Sequence, residues 1–374
     1  MRRELERIEI PGEHDARERA WAVVGAAFDE REPTPRRSHW PRVAIVAVAL
    51  AALAAAALSS PGRAVLDEVR EVVGVERAEP ALFSLPASGR LLVASDAGVW
   101  VVQQDGSKRL LGPYREASWS PFGRFVVAAR ENELVALDPE GRLRWTLARR
   151  GVRFPGWTGS ETDTRIAYVD RTGIRIVGGD GLGDRLLVPG ARGPLAWRPG
   201  TGFQLAYADR RGRVVLVDGE TGRVRWRARR DGRVVGLDWS SNGRRLMARR
   251  VGGLDDLSIY TEQGGLYTGF RTPRGRVSAA ATRPGSHARA IAVRVNGHAR
   301  LFMPDVLRDA LSGPGTLSRL AWAPDAGWLL ASWPSADQWV FVRADGKRIR
   351  AVSNVSEQFR SRSFPRVEGW CCSP

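Results

Sequence analysis

The sequence contains few of the side chains that usually carry catalysis or bind metals. Its 374 residues include only four histidines and two cysteines, and no His-x-x-x-His or Cys-x-x-Cys spacing occurs. The absence of these spacings argues against a structural zinc site. The Gly-x-Ser-x-Gly turn of many serine hydrolases is also missing, which weakens the case for that class of enzyme. Composition therefore favours a protein that binds over one that catalyses, and it predicts no cofactor.

Lysine is almost missing too, although the chain is strongly basic. Lys108 and Lys347 are the only lysines, so 56 of the 58 basic residues are arginine, against 41 acidic residues. This skew is typical of a GC-rich genome and is not evidence of function. The net charge of +17 lies entirely beyond residue 58. It favours anionic neighbours such as lipid headgroups or acidic polymers without selecting among them, and no motif predicts specific nucleic-acid binding.

Long hydrophobic runs are absent, with one exception. Residues 43–58 are sixteen uninterrupted apolar residues, just short of the range of about 17 to 25 that a spanning helix needs. We predict a single transmembrane helix over residues 43–60 behind a cytoplasmic tail, residues 1–42, because Arg37 and Arg42 precede the run. A cleaved signal peptide and a buried alanine-rich helix are the alternatives. The long polar lead argues against a signal peptide.

The predicted tail carries one helical pattern. Asp15 followed by Glu18 resembles a capping box that opens a helix. Trp21, Val24 and Phe28 then fall on one face at helical spacing, and a tail of this length has nothing of its own to cover that face. A partner protein or the inner membrane surface would cover it. A fraying membrane-proximal helix is the alternative.

Beyond a short amphipathic stalk, residues 61–80, the sequence repeats. Six stretches share one plan, in which a tryptophan closes a short strand, a Pro/Gly turn follows, and an apolar strand comes next. The tryptophans stand at intervals of 38 to 43 residues, at Trp119, Trp157, Trp197, Trp239 and Trp322, with Thr282 in the fifth slot. A four-stranded propeller blade needs about 40 to 45 residues. The repeat therefore predicts an all-β propeller over residues 81–374.

The two ends of this region complete each other. "PASGRLLVASDAGVWVVQQDGSKRLLG" is a blade without its opening tryptophan strand, and "FPRVEGWCC" is an opening strand without a blade. We predict that the segment around Val367–Trp370 pairs with the strand around Leu91–Ala94. This pairing would close a ring of seven blades and remove the exposed sheet edges.

Two stretches carry a family resemblance. "WSPFGRFVVAAR" resembles the repeat of TolB-type and WD40-like propellers, and "GETGRVRW" resembles the Gly-x-x-x-Trp hairpin of quinoprotein-like propellers. The resemblance covers roughly residues 81–374 and implies the propeller fold. The predicted anchored arrangement also looks like that of propeller proteins attached to bacterial membranes by an N-terminal helix. Propellers host binding, scaffolding and catalysis alike, so the resemblance does not specify a function.

The two cysteines, Cys371 and Cys372, are adjacent on the predicted closing strand. Adjacent Cα atoms lie about 3.8 Å apart, below the usual disulfide range of about 4.4 to 6.8 Å, so a bond between neighbours is strained. The sequence favours two reduced thiols and leaves a vicinal disulfide open. Quinoprotein alcohol dehydrogenases have such a pair next to their cofactor, which keeps a quinone-dependent dehydrogenase as an alternative.

One set of arginines is predicted to line the central channel. Counting back four residues from each tryptophan slot gives Arg366, Arg115 and Arg153 on three consecutive blades. Equivalent positions on the inner strands of a propeller form a ring at one level. Guanidinium groups suit a carboxylate or a phosphate, so these three arginines are the predicted anion-binding residues.

Together these observations predict a membrane-anchored, extracytoplasmic propeller that binds or scaffolds a protein partner and does not catalyse. A transmembrane regulator, whose cytoplasmic helix holds a partner such as a sigma factor, is one alternative. The His/Cys zinc motif of common anti-sigma families is missing, which counts against it. The quinone-dependent dehydrogenase is the other alternative.

Overall fold

The computed structural model describes residues 84–200, 202–229, 232–272, 275–306 and 309–372. The predicted tail, transmembrane helix and stalk lie outside these ranges. Among the described residues, no helix has the length and apolar character needed to span a bilayer.

In the described part of the chain, 28 strands form seven sheets, each of four antiparallel strands. We call each sheet a blade. Blade 1 contains β1 (Arg90–Ser95), β2 (Gly98–Val102), β3 (Lys108–Gly112) and β28 (Arg366–Cys371). Blade 2 contains β4 (Glu116–Trp119), β5 (Val126–Arg130), β6 (Glu133–Leu137) and β7 (Leu143–Ala148). Blade 3 contains β8 (Arg153–Gly159), β9 (Thr164–Val169), β10 (Gly173–Gly178) and β11 (Arg185–Pro189).

The remaining blades follow the same plan. Blade 4 contains β12 (Leu195–Trp197), β13 (Gln204–Ala208), β14 (Val214–Asp218) and β15 (Val224–Arg227). Blade 5 contains β16 (Arg233–Trp239), β17 (Arg245–Val251), β18 (Leu257–Thr261) and β19 (Leu266–Phe270). Blade 6 contains β20 (Gly275–Thr282), β21 (Arg289–Val295), β22 (His298–Phe302) and β23 (Leu311–Pro314). Blade 7 contains β24 (Arg319–Trp322), β25 (Trp328–Trp333), β26 (Gln338–Arg343) and β27 (Ile349–Ser353). A 3-10 turn (Pro334–Ala336) and a short helix, α1 (Val355–Gln358), complete the described elements.

The inner strands form a closed ring. One end strand of each sheet contacts the corresponding strand of the next blade, and the series β4, β8, β12, β16, β20, β24 and β28 runs back to β4. The tryptophan slots all lie at or near the ends of these strands, as the repeat predicted. The fold is a seven-bladed β-propeller, which confirms the fold class predicted from the sequence.

β28 closes the ring by completing blade 1. It pairs antiparallel with β1, placing Trp370 opposite Leu91 and Arg366 opposite Ala94, with one irregularity beyond Leu92. β28 also contacts the inner strands of both neighbouring blades, β24 and β4. The predicted pairing of the closing strand is therefore confirmed.

The carboxylate of Asp96 binds the segment that leads into β28. Asp96, in the turn after β1, accepts hydrogen bonds from the backbone N–H groups of Arg362 (2.8 Å) and Ser363 (3.0 Å) and from the Ser363 hydroxyl (2.8 Å). The bonds from Ser363 and Arg362 lower the pKa of Asp96 to about 2. The segment that leads into the closing strand is thus tied to the first turn of blade 1.

Burial follows from the stacking of blades face to face. The middle strands are covered on both sides, so β2 ("GVWVV") is buried throughout and β5 ("VVAAR") at its first four positions. Continuous apolar runs of this kind are typical of strands with two buried faces. The outer strands are less covered, and β19 is exposed along its whole length.

Outer tryptophans link two blades to their neighbours. Trp145 on β7 donates from Nε1 to the carbonyl of Gly179 in blade 3 (2.9 Å), and its ring covers Gly181. In the same way Trp226 on β15 covers Gly264 in blade 5. Both glycines have positive φ, +84° and +88°, and a Cβ there would lie 2.8 Å and 2.6 Å from the indole ring. Glycine is needed both for the backbone conformation and for the close approach.

A buried carboxylate joins blades 2 and 3. Asp184, between β10 and β11, accepts hydrogen bonds from the Tyr168 hydroxyl (2.5 Å) and from Nη2 of Arg175 (2.6 Å). Arg149, which follows β7 in blade 2, donates to it from Nε (3.0 Å). Burial alone would raise the pKa of Asp184, but hydrogen bonds from Arg175, Tyr168 and Arg149 outweigh burial and hold it below its usual range.

Candidate functional site: the channel and its upper rim

The inner strands all begin at one end of the channel, which we call the upper face. Because the strands of a blade run antiparallel, two kinds of connection lie there. These are the links from one blade to the next and the turns between the second and third strands. The other turns form the lower face. The described chain starts at the lower face, where the N–H of Leu85 donates to the carbonyl of Gln104 between β2 and β3 (2.8 Å).

The three arginines predicted to bind an anion lie on neighbouring blades at the upper face. Arg366 and Arg115 are in contact, since Nη2 of Arg366 donates to the Arg115 carbonyl (2.9 Å). Each guanidinium has a carboxylate within 4 Å: Glu368 for Arg366 (2.7 Å), Glu131 for Arg115 (3.6 Å) and Glu116 for Arg153 (3.6 Å). An anion would compete with these carboxylates, and anion binding by this trio stays a prediction.

A second set of arginines lies further round the upper face. A groove of about 700 Å³ runs along blades 3 to 5, and we call it the arginine groove. Arg192, Arg211 and Arg233 line it with exposed side chains. Within the described residues, none of the three has a carboxylate within ion-pair distance.

The carboxylate that lines the arginine groove is already engaged. Asp209 lies in the turn after β13 and accepts a hydrogen bond from Nε of Arg213 (2.7 Å). Burial would raise the pKa of Asp209, but its hydrogen bonds from Arg213 and Arg211 hold that pKa below the usual range. The arginine groove therefore carries a net positive charge that the propeller does not neutralise.

The sequence prediction found one arginine that lines the arginine groove, Arg153, and missed Arg192, Arg211 and Arg233. Counting back four residues from the tryptophan slots selects Gly193 and Val235 on these blades, one and two residues away from Arg192 and Arg233. Arg211 belongs to a turn, "DRRGR", whose position on the upper face depends on the antiparallel order of the blade. The feature of the sequence that could have identified the arginine groove is the arginine content of the segments that link the blades.

Inside the ring, a cavity of about 330 Å³ lies along the inner strands of blades 5, 6, 7 and 1. Small side chains make the space, and they are Gly236, Ala280, Ala321 and Gly369. Charged side chains also line it, and they are Asp238, Arg249, Arg319 and Glu368. The cavity is therefore a polar chamber inside the ring.

The two acids of the chamber are held at unusual pKa values. Asp238 is open to the lumen but surrounded by protein, and burial raises its pKa to about 6, against the opposing effects of the Thr282 N–H and the Arg319 charge. Burial also raises the pKa of Glu368, although Arg366 and Arg319 oppose the shift. A cation bound beside such a carboxylate would stabilise its charged form and lower its pKa.

The cysteine pair lies at the lower end of β28. The sulfur atoms of Cys371 and Cys372 are in contact with each other. The Cys372 sulfur lies 3.6 Å from the carbonyl oxygen of Pro121 in blade 2. The described residues contain no group of three His, Cys, Asp or Glu side chains that could hold a metal ion. The redox state of the pair stays a prediction.

The predicted partner face of the tail, Trp21, Val24 and Phe28, lies outside the described residues. The interpretation of that face as a contact for a protein partner stays a prediction.

Comparison with known proteins gives the fold and little more. No family model matches the sequence, and no curated protein matches it significantly. BBS1N, crystallised in complex with ARL6DN, matches with a TM-score of 0.51 and 16% identity over 71% of this chain and 91% of that chain. The Cps50 (Swd1) β-propeller domain of Myceliophteria thermophila matches with a TM-score of 0.53 and 14% identity over 75% and 98%. The fold is a WD40-like β-propeller. At these identities the likeness concerns the fold alone.

Proposed function

We propose that this chain is a non-catalytic binding module whose arginine groove holds an acidic segment of a protein partner. The observation that carries the proposal is the set of three guanidinium groups around one groove, none of which has a carboxylate partner in the described part of the chain. Arginine binds carboxylates in bidentate geometry, and such charge-assisted hydrogen bonds are among the stronger ones.

The lining of the arginine groove favours a protein segment over a flat anionic surface. Phe154, Pro194 and Val251 contribute apolar area between the arginines. Arginine with aromatic and apolar neighbours is typical of protein interfaces. The similar structure of BBS1N is of a complex with ARL6DN, which supports protein binding by analogy of fold.

The binding test uses the full chain in detergent and a fluorescein-labelled peptide of ten glutamates. Replacing Arg211 and Arg233 by serine removes two guanidinium groups from the groove, and we expect peptide affinity to fall about tenfold or more in a fluorescence-anisotropy titration. The matched control replaces Arg223 and Arg244, two exposed arginines on turns of the lower face, by serine. It has the same net charge and should bind within about twofold of the unaltered chain.

Two results would contradict the groove proposal. Equal weakening in both double variants would mean that net charge alone attracts the peptide. Binding to phosphatidylglycerol vesicles without binding to the peptide would mean that the upper face recognises a lipid surface.

We also propose that the propeller is extracytoplasmic and tethered by residues 43–60, in the manner of the propeller proteins that an N-terminal helix attaches to bacterial membranes. The supporting observations are the uninterrupted apolar run, the preceding arginines and the long polar lead. Alkaline phosphatase fused behind Pro374 should be active, because it folds outside the cytoplasm. The same fusion without residues 43–58 should be inactive. Activity only of a cytoplasmic reporter in that position would overturn the topology.

A further inference from the structure

Arg249 occupies an unusual position for a residue of a second strand. It lies on β17, opposite Gly236 of the inner strand β16, next to an irregularity between Val234 and Gly236. A Cβ on Gly236 would lie 3.7 Å from both Nε and Nη2 of Arg249. The guanidinium therefore lies over the glycine, and it lines the channel chamber.

The Arg249 charge has no counterion in the described part of the chain. Burial lowers the pKa of Arg249, and the charge of Arg319 lowers it further, with no carboxylate acting in the opposite direction. Arg319 itself is only loosely paired, since its Nη2 lies 3.8 Å from Glu368, which Arg366 already engages. Arg249, which is half-buried, and Arg319, which is exposed, thus both line one chamber, where their guanidinium N–H groups could donate to a single anion.

The same chamber also contains the carboxylate of Asp238. Asp238 follows Gly236 by two residues on β16. Because side chains alternate along a strand, the two positions lie on the same face, about 6.6 Å apart along it. Among the described residues, no cation lies within ion-pair distance of Asp238, although the Arg319 charge acts on it from further away. Burial raises the pKa of Asp238, and an ammonium group beside its carboxylate would lower that pKa again.

We propose that the channel chamber binds a small zwitterion, an amino acid or a short peptide with free ends. Its carboxylate lies between Arg249 and Arg319, and its ammonium group lies on Asp238. A free phosphate or another polyanion fits less well, because Asp238 and Glu368 would repel it. The chamber of about 330 Å³ has room for a dipeptide, and the small residues Gly236, Ala280 and Ala321 leave space for its side chains. This site shares no residue with the arginine groove.

The first test needs no variant. Isothermal titration calorimetry at pH 8, where Asp238 is ionised, compares alanyl-alanine with its N-acetyl derivative and with its C-terminal amide on the full chain in detergent. The dipeptide has both charges, whereas each derivative has lost one. We expect the dipeptide to bind about tenfold tighter than either derivative, because each lost charge leaves one end of the site unpaired. Equal affinity for all three, or no binding by the dipeptide, would overturn the proposal.

The second test assigns the charges to residues. Arg249→Met should weaken the dipeptide and the N-acetyl derivative about tenfold, and Asp238→Asn should weaken the dipeptide but not the N-acetyl derivative. The matched control is Arg294→Met, which removes an exposed arginine from β21, the corresponding strand of blade 6, outside the chamber. Unchanged dipeptide affinity in Arg249→Met, with its thermal unfolding unchanged, would rule out this site.

Discussion

Deletion of residues 364–374 is expected to abolish the stable propeller. The deletion removes β28, leaves the edge of β1 without a partner and separates the inner strands β24 and β4. It also removes Val367 and Trp370, two buried residues of the core, and the edge-on packing of Trp370 against Phe341 (5.7 Å between ring centroids). An unpaired edge beside an exposed core is a template for aggregation. We expect insoluble protein or rapid proteolysis, measured as soluble yield and as resistance to trypsin.

The control for this deletion removes residues 373–374 alone. They lie beyond β28, so the shorter deletion preserves the pairing with β1, and soluble yield and melting temperature should match the full chain. A soluble propeller lacking residues 364–374, with an unchanged melting temperature, would show that β28 is not needed to close the ring.

Asp184→Ala is expected to cause the largest loss of stability of any single substitution considered. It leaves the Tyr168 hydroxyl and the guanidinium groups of Arg149 and Arg175 without their shared acceptor. Breaking a buried ion pair by removing one partner costs about 3 to 5 kcal/mol of unfolding free energy. The urea midpoint should fall accordingly. Asp180→Ala is the control, because Asp180 is exposed in the same segment and accepts one hydrogen bond, from the N–H of Leu182 (3.0 Å).

The pH dependence of the Asp184 effect has a defined sign. The folded pKa of Asp184 lies below its ordinary value, so its stabilising contribution is complete above the unfolded pKa of about 3.9 and declines as the pH falls through the folded pKa. The difference in urea midpoint between Asp184→Ala and the unaltered chain should therefore be constant near neutral pH and shrink in acid. A difference that grows in acid would contradict the assigned network.

Much of the architecture could be predicted because it follows from the sequence repeat. The spacing of the tryptophans sets the blade length, and the incomplete blade at Leu91–Ala94 and the extra strand at Val367–Trp370 identify each other. The sites were harder to predict. Pairing of Arg153 with Glu116 joins two blades, and no local pattern shows it. The position of Arg249 depends on an irregularity in β16 opposite it, and a one-residue shift in register would direct its side chain elsewhere.

The pairing of β28 with β1 also imposes an order in time. During translation Leu91 is added early and Trp370 near the end of the described region, although the two residues pair within one blade. At about 5 to 20 residues per second, the first blade waits roughly 14 to 55 s during synthesis for its fourth strand. Throughout that interval β1 has a free edge, and six other blades form beside it. A chaperone that covers this edge should raise the yield of native protein most when elongation is slow.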